Sequence, residues 1–167
     1  RELALQILRE TKRLDQQVGR RSLCLYGGES VRKQLAELKQ RPLLVIATPG
    51  RLQMFCEQQQ IYLNRATYVV LDEADRLLDL GFEPQLMFIQ RKLSPCKMRQ
   101  NVMCSATFPK DIQKLAADFL QPGYFFAVVG KVGSANQNIA QQLLWVEDDD
   151  KAAKLKAILL EHINDRT

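Results

Sequence analysis

The stretch Val69-Val70-Leu71-Asp72-Glu73-Ala74-Asp75 joins three aliphatic residues directly to a cluster of three carboxylates. A continuous apolar run of this kind is typical of a strand that is buried on both faces, as strands of parallel sheets are. In open parallel sheets, ligands bind at the carboxyl ends of the strands. The stretch therefore predicts a buried parallel strand whose polar cluster lies at the ligand-binding edge.

Apolar strands and helical patterns alternate on either side of this stretch. Helices are predicted at 1–18, from Ser30 to about Lys39, and at 51–58, 84–93 and 109–120. Strands are predicted at 22–26, 43–47, 68–71, 101–104, 124–129 and 142–146. This alternation indicates an α/β fold in which helices cover both faces of a parallel sheet.

Length and composition fit an ordinary globular domain. The chain has 167 residues, of which 46% are hydrophobic and 26% charged. These values exclude a disordered tail, a collagen-like fibre and a disulfide-stapled miniprotein. No apolar run approaches the roughly 20 residues that cross a bilayer, so no membrane partner is expected.

Charge is unevenly distributed along the chain. The net charge is +5 overall, and residues 1–51 carry 11 basic and 5 acidic side chains, a net charge of +6. A basic N-terminal third favours a polyanionic partner, although proteins that never bind nucleic acid can be equally basic. Charge alone leaves both interpretations open.

The cysteines do not have the spacing of a metal site. The four cysteines include no CxxC pair, and the single histidine, His162, lies far from them in sequence. We therefore expect reduced thiols and no zinc site. Reduced cysteines indicate an intracellular protein, in the cytoplasm, the nucleus or both.

The carboxylates after the strand 68–71 are suited to nucleotide chemistry. Asp72, at the strand tip, can hold a nucleotide-bound Mg²⁺ through water, because this hard ion prefers oxygen ligands. Glu73 can orient or deprotonate a water molecule that attacks the γ-phosphate. From these residues alone, a helix cap formed by Asp72 or Asp75 remains an alternative.

Two further strands end in polar or small residues. Ser105-Ala106-Thr107 follows 101–104, and its hydroxyls can bond a neighbouring carboxylate such as Asp75. Ala47-Thr48-Pro49-Gly50-Arg51 follows 43–47 and can contact a phosphate at a helix start. Gly27-Gly28 has the same two interpretations, a close approach to a ligand or a tight bend.

The order of these motifs resembles the first RecA-like domain of a DEAD-box RNA helicase, of the P-loop NTPase type. Arg1-Glu2-Leu3-Ala4, Gly27-Gly28, 47–52, Asp72-Glu73-Ala74-Asp75 and Ser105-Ala106-Thr107 occur in the order of that family. The flanks 80–85 and Phe108-Pro109 also agree. The stretches 129–134 and 145–147 look most like the Vasa-like branch.

The resemblance implies roles for individual residues, with ATP and Mg²⁺ as cofactors. Asp72 would bind the Mg²⁺ of Mg-ATP through water, and Glu73 would position the attacking water. Asp75 would bond Ser105 and Thr107 and so couple ATP hydrolysis to strand separation. RNA would be bound through its sugar-phosphate backbone, without regard to base sequence, by Arg1, Gly27, Gly28, Thr48, Gly50 and Arg51.

The chain also departs from the family pattern. It contains no GxxxxGK[ST] phosphate loop, since Gly130-Lys131 is followed by Val132. We therefore expect a RecA-like sheet that lacks the N-terminal phosphate-loop strand, and no ATPase activity from this chain alone. The absence of an initiator Met before Arg1 leads us to expect part of a longer protein.

The expected organisation has three parts. Residues 1–133 form the C-terminal part of the first RecA-like domain, 134–139 a linker, and 140–167 the start of a second RecA-like domain, the intramolecular partner of the first. One alternative function is that of another ATPase sharing only Asp-Glu at a strand end, against which 47–51 and 105–107 argue. A second alternative is a non-catalytic RNA-binding or protein-docking module derived from a helicase.

Overall fold

The structure, a computed structural model, describes residues 1–19, 21–95, 98–130 and 138–161. The chain divides into two compact units, Arg1–Gly133 and Ser134–Thr167. The sequence-predicted linker at 134–139 lies largely outside the described residues.

The first unit alternates helices and strands along the chain, as the sequence predicts. Its elements are α1 (Glu2–Val18), β1 (Ser22–Leu25), α2 (Val31–Leu38), β2 (Leu44–Ala47), α3 (Pro49–Glu57), β3 (Tyr68–Leu71), α4 (Ala74–Asp79), α5 (Glu83–Lys92), β4 (Gln100–Met103) and α6 (Lys110–Phe119). The described part of the second unit contains a short 3₁₀ helix, Asp148–Asp150, and α7, Lys151–Glu161.

The four strands form two parallel pairs. β1 pairs with β2, where Leu25 lies opposite Ala47, and β3 pairs with β4, where Leu71 lies opposite Met103. The predicted parallel pairing is confirmed, but among the described residues β2 and β3 do not join into one sheet. The facing sides of β2 and β3 instead line a cavity of about 1670 Å³.

Local sequence explains where α1 ends and where α2 begins. α1 ends at Gly19, which adopts φ 62 and ψ 29, a left-handed conformation that suits glycine. The carboxylate of Asp15 then accepts hydrogen bonds from the backbone N–H and hydroxyl of Ser22, at 2.8 and 2.9 Å. α2 begins after Ser30, whose hydroxyl accepts a bond from the Lys33 N–H.

Each strand pair has its own apolar cluster. Under β1 and β2, Leu23, Leu25 and Phe55 are buried. Under β3 and β4, the buried residues are Ala74, Leu86, Ile112 and Leu115. The strand ends of each pair are therefore held by a separate core.

Two predicted strands are wrong. Tyr124–Val129 and Gln142–Val146 are not strands in the structure. Both are rich in β-forming residues, but a strand also needs a hydrogen-bonding neighbour. Neither segment pairs with any of the four described strands.

Within the described residues, no helix has the length and apolar character required to span a membrane.

Candidate functional site

Strand pairing brings the residues after β3 next to those after β4. Cys104 N–H donates to the Leu71 carbonyl at 2.8 Å, and Ala74 N–H donates to the Cys104 carbonyl at 3.0 Å. Ala74 is fully buried, so only a small side chain fits between these strand ends. The polar cluster 72–75 consequently lies beside Ser105-Ala106-Thr107.

Asp75 is hydrogen-bonded to both hydroxyl residues of that tripeptide. Its Oδ2 accepts from the Thr107 backbone N–H at 3.0 Å and from the Thr107 hydroxyl at 2.9 Å. Its own backbone N–H donates to Ser105 Oγ at 3.3 Å. The contacts expected for Asp75, Ser105 and Thr107 are therefore present in the structure.

These hydrogen bonds favour the ionised form of the Asp75 carboxyl. Partial desolvation raises the pKa of this carboxyl, but the bonds from the Thr107 hydroxyl and from the backbone N–H groups of Arg76 and Thr107 outweigh it. The pKa of Asp75 is therefore lowered from its ordinary value, because the bonds favour the charged form. Asp75 is an ionised acceptor at neutral pH.

Asp72 and Glu73 occupy the turn between β3 and α4. Asp72 is exposed, and its Oδ1 accepts a hydrogen bond from the Glu73 N–H at 3.0 Å. Glu73 adopts φ 47 and ψ 52, a left-handed conformation that is costly for a residue with a Cβ. Its Oε2 lies 3.9 Å from Arg76 Nε, a weak ion pair at the surface.

The oxygen donors of this turn are compatible with Mg²⁺. Mg²⁺ usually keeps several waters and binds through one or two carboxylates together with substrate phosphates. Exposed Asp72 can provide such a carboxylate. The described residues contain no group of three or more His, Cys, Asp or Glu side chains arranged around one metal position. The site therefore fits water-mediated binding and not an all-protein cage.

A second cluster lies at the carboxyl ends of β1 and β2. Thr48 N–H donates to the Leu25 carbonyl at 2.9 Å, and the Thr48 hydroxyl lies 3.5 Å from the same oxygen. Gly50 is exposed in the first turn of α3. The pairing thus brings the loop that begins at Tyr26 next to the start of α3.

Arg51 joins these two segments. Its Nη1 and Nη2 donate to the Glu29 carbonyl at 3.2 and 3.3 Å, and Nη1 also lies 3.4 Å from Gln34 Oε1. The guanidinium carbon lies 5.9 Å from the centre of the Phe55 ring. Two nitrogens of Arg51 therefore donate to groups of the protein itself.

Arg1 lies against the loop on its other side. Its guanidinium carbon is 5.4 Å from the centre of the Tyr26 ring, a cation–π distance. Gly28 has φ +85, and a Cβ added there would lie 3.4 Å from Arg1 Nη1. Gly27 and Gly28 are exposed, so a ligand can reach their backbone atoms beside the Arg1 guanidinium.

Both clusters border the cavity between β2 and β3. Arg1 and Thr48 of one cluster line it, as do Asp72 and Glu73 of the other. The sequence-predicted residues therefore form two groups at the carboxyl ends of two strand pairs, and each group contributes two residues to the lining of one cavity. Their roles toward ATP and RNA stay predictions.

Sequence reasoning missed Gln34. This residue is only 2% exposed, and its Nε2 donates to the Tyr26 carbonyl at 3.0 Å. A signal was available, because Gln34 occupies an inward-facing position in the helical spacing of Val31, Leu35 and Leu38. A polar residue at such a position needs a hydrogen-bonding partner.

Known proteins match this chain in sequence and in fold. The family model of DEAD/DEAH box helicases matches residues 1–115. The crystal structure of the yeast DEAD-box splicing factor Prp28 superposes with a TM-score of 0.71 at 29% sequence identity. That match covers 96% of this chain and 38% of the Prp28 chain, so the sequence spans less than half of that protein.

The comparisons confirm the expected α/β, RecA-like fold. The family match covers well over half of the 167 residues and includes the clusters at the ends of all four strands. The chain therefore belongs to the DEAD/DEAH box helicase family and carries part of its first RecA-like domain.

Proposed function

We propose that this chain is part of an ATP-dependent RNA helicase that couples ATP hydrolysis to RNA binding and local unwinding of duplexes. The observation that carries the proposal is the direct bonding between the carboxylate cluster 72–75 and Ser105-Ala106-Thr107, in which Asp75 accepts two hydrogen bonds from Thr107. A change at the carboxylate cluster is thereby transmitted to the neighbouring strand end. The family match supports the reaction class.

The cluster after β3 would carry the hydrolytic chemistry. Mg²⁺, when bound with ATP, would neutralise charge on the phosphates. Asp72 would hold the ion through water, because its exposed carboxylate suits a hydrated hard cation. Glu73 would hold the attacking water and accept its proton. Asp75, which is ionised and bonded to Ser105 and Thr107, would hold the cluster 72–75 in a fixed position relative to the residues that follow β4.

The cluster after β1 and β2 would contact the RNA backbone. The Gly27–Gly28 loop and the exposed Gly50 offer backbone N–H groups, while Thr48 offers a hydroxyl. Arg1 and Arg51 would add positive charge beside the same groups. Contacts of this type ignore base identity and weaken as salt concentration rises.

The rest of the proposal concerns the longer protein. Residues 1–133 would belong to the first RecA-like domain, and 140–167 would begin the second one after a linker at 134–139. The sequences 129–134 and 145–147 support the Vasa-like branch. Buried free thiols at Cys24 and Cys56 support an intracellular location, in the cytoplasm or the nucleus.

The test is RNA-stimulated ATP hydrolysis by the longer protein that carries this chain. We expect stimulation by single-stranded RNA, little by DNA of the same sequence, and loss of hydrolysis in Glu73→Gln. Glu57→Gln, which alters an exposed glutamate of α3, is the matched control and should retain full activity. RNA binding without hydrolysis would instead support a non-catalytic RNA-binding or protein-docking module. We consider this alternative because this chain contains no GxxxxGK[ST] loop.

A further inference from the structure

We propose that Gln34 is a positioning residue for RNA binding, which fixes the Gly27–Gly28 loop and Arg51 as one rigid unit. This inference rests on the proposed RNA-binding function of that loop. Gln34 lies on α2, is almost completely buried, and is not among the residues that could touch RNA directly.

The backbone carbonyls on either side of the two glycines both accept hydrogen bonds from side chains of neighbouring helices. On one side, the Tyr26 carbonyl accepts from Gln34 Nε2 at 3.0 Å. On the other side, the Glu29 carbonyl accepts from both Nη atoms of Arg51, at 3.2 and 3.3 Å. Gln34 Oε1 closes the ring, because it lies 3.4 Å from Arg51 Nη1. The loop is thus bracketed by one connected set of hydrogen bonds.

A glycine pair needs this support more than other sequences do. Gly27 and Gly28 have no side chains to pack, and glycine loses more conformational freedom on ordering than any other residue. A ligand that binds a mobile loop must supply the ordering free energy, whereas a fixed loop binds without that loss. The hydrogen bonds to the carbonyls of Tyr26 and Glu29 therefore hold the loop in one conformation before a ligand binds.

The amide group of glutamine satisfies both partners at this position. Arg51 can only donate, and the Tyr26 carbonyl can only accept, so the side chain between them must offer one acceptor and one donor. Glutamate at position 34 would place a carboxylate oxygen against the Tyr26 carbonyl. Methionine has a similar shape but offers neither strong bond. Gln34→Met consequently removes the connection with little change in volume.

The experiment compares unaltered protein, Gln34→Met and Leu38→Ala in the longer protein that carries this chain. Leu38 lies one turn further along α2 and packs on the core under β1 and β2, so its truncation lowers stability without touching the hydrogen-bonded ring. We expect Gln34→Met to raise the RNA concentration for half-maximal ATPase stimulation about tenfold, because one loop carbonyl loses its partner. The kcat at saturating RNA should be unchanged, and Leu38→Ala should change neither value.

Two further readouts separate positioning from direct contact. The slope of log Kd for single-stranded RNA against log salt concentration should be the same in Gln34→Met, because no phosphate contact is lost. Amide hydrogen exchange of peptides covering 22–30, measured without RNA, should become faster in Gln34→Met and not in Leu38→Ala. Unchanged exchange or unchanged half-maximal RNA concentration would overturn the inference. If the unaltered protein binds no RNA, the proposed function fails, and the exchange result alone decides whether Gln34 holds the loop.

Discussion

Asp75 Oδ2 accepts two hydrogen bonds from Thr107, one from its backbone N–H at 3.0 Å and one from its hydroxyl at 2.9 Å. The two residues are 32 positions apart in sequence, and each follows one strand of the β3–β4 pair. Strand register therefore determines the geometry of this contact. Because both bonds end on one oxygen, displacement of either strand end disturbs both together.

The Asp75 contact makes stability depend on pH. Hydrogen bonds lower the pKa of Asp75 in the folded state, so its stabilising contribution is complete above the unfolded pKa of about 4. The contribution is lost as the pH falls through the lower, folded pKa. We expect Asp75→Asn to be less stable than the unaltered chain at pH 6, with the difference shrinking below pH 4.

Urea unfolding of the longer protein that carries this chain, at a series of pH values, measures this difference. Asp79→Asn, an exposed carboxylate at the end of α4, provides the control for loss of one negative charge. A difference between Asp75→Asn and the unaltered chain that stays constant from pH 6 to pH 3 would contradict the argument.

Because the backbone of Glu73 is left-handed, we expect its replacement by glycine to stabilise the protein. Removing the Cβ relieves the strain of φ 47, whereas the greater freedom of glycine in the unfolded chain offsets part of the gain. We expect Glu73→Gly to raise the free energy of unfolding by about 0.5–1 kcal/mol. The same variant should lose RNA-stimulated hydrolysis in the longer protein, because glycine lacks the carboxylate that is proposed to hold the attacking water.

Gln59→Gly is the matched control for Glu73→Gly. Gln59 also has a positive φ, 55, but lies after α3 and outside both polar clusters. It should gain similar stability in chemical denaturation while hydrolysis stays unchanged. A loss of stability in both variants would show that neither conformation is strained.

The sequence predicted the four strands of the structure well, because the apolar run of each strand and the polar residues that follow it are local features. Tyr68–Leu71 is apolar throughout and is followed by carboxylates, and Leu44–Ala47 is followed by Thr48 and then by Pro49, where a helix begins. Parallel pairing of β3 with β4, seen in the structure, then brings Asp75 to Thr107. Residue type and position along the chain were sufficient to predict the strands and the residues at their ends, whereas the Asp75–Thr107 contact was expected from the resemblance to the helicase family.

Two features could not be predicted from the sequence in the same way. Tyr124–Val129 has the composition of a strand, but pairing depends on a neighbour that composition does not reveal. Gln34 was missed because its partners, Tyr26 and Arg51, come from a loop and from another helix. Both cases depend on contacts between segments distant in sequence, which residue patterns describe poorly.

Unpaired strand edges predict low stability for this chain by itself. The sides of β2 and β3 that face each other line one cavity, where Tyr68 and Val70 are 57% and 49% exposed. Phe125 is fully exposed as well. Open edges and exposed apolar side chains favour association between chains. We expect a broad thermal transition, binding of a hydrophobic dye, and oligomers in light scattering.

Matched substitutions localise that effect. Val70→Thr and Phe125→Thr should reduce dye binding and oligomer formation, whereas Leu155→Thr, at an exposed position of α7, should change them less. A sharp, cooperative melt of the unaltered chain as a monomer, without dye binding, would be incompatible with this expectation.

The glycine pair offers a final test, because its two members differ. Gly28 has φ +85, and an added Cβ would lie 3.4 Å from Arg1 Nη1, whereas a Cβ on Gly27 would meet no atom within 4 Å. We expect Gly28→Ala to cost about 1 kcal/mol of stability, as a left-handed residue with a side chain does. Gly27→Ala should leave the folded protein unchanged.

RNA affinity then distinguishes backbone strain from direct contact. If RNA approaches the loop closely, Gly27→Ala should weaken its binding although the thermal melt is unaltered, because the methyl group would occupy the space of the ligand. Titration of labelled single-stranded RNA into both variants of the longer protein measures this. Unchanged affinity in Gly27→Ala, together with weaker binding in Gly28→Ala, would mean that the loop acts through its conformation and not through close approach of RNA to Gly27.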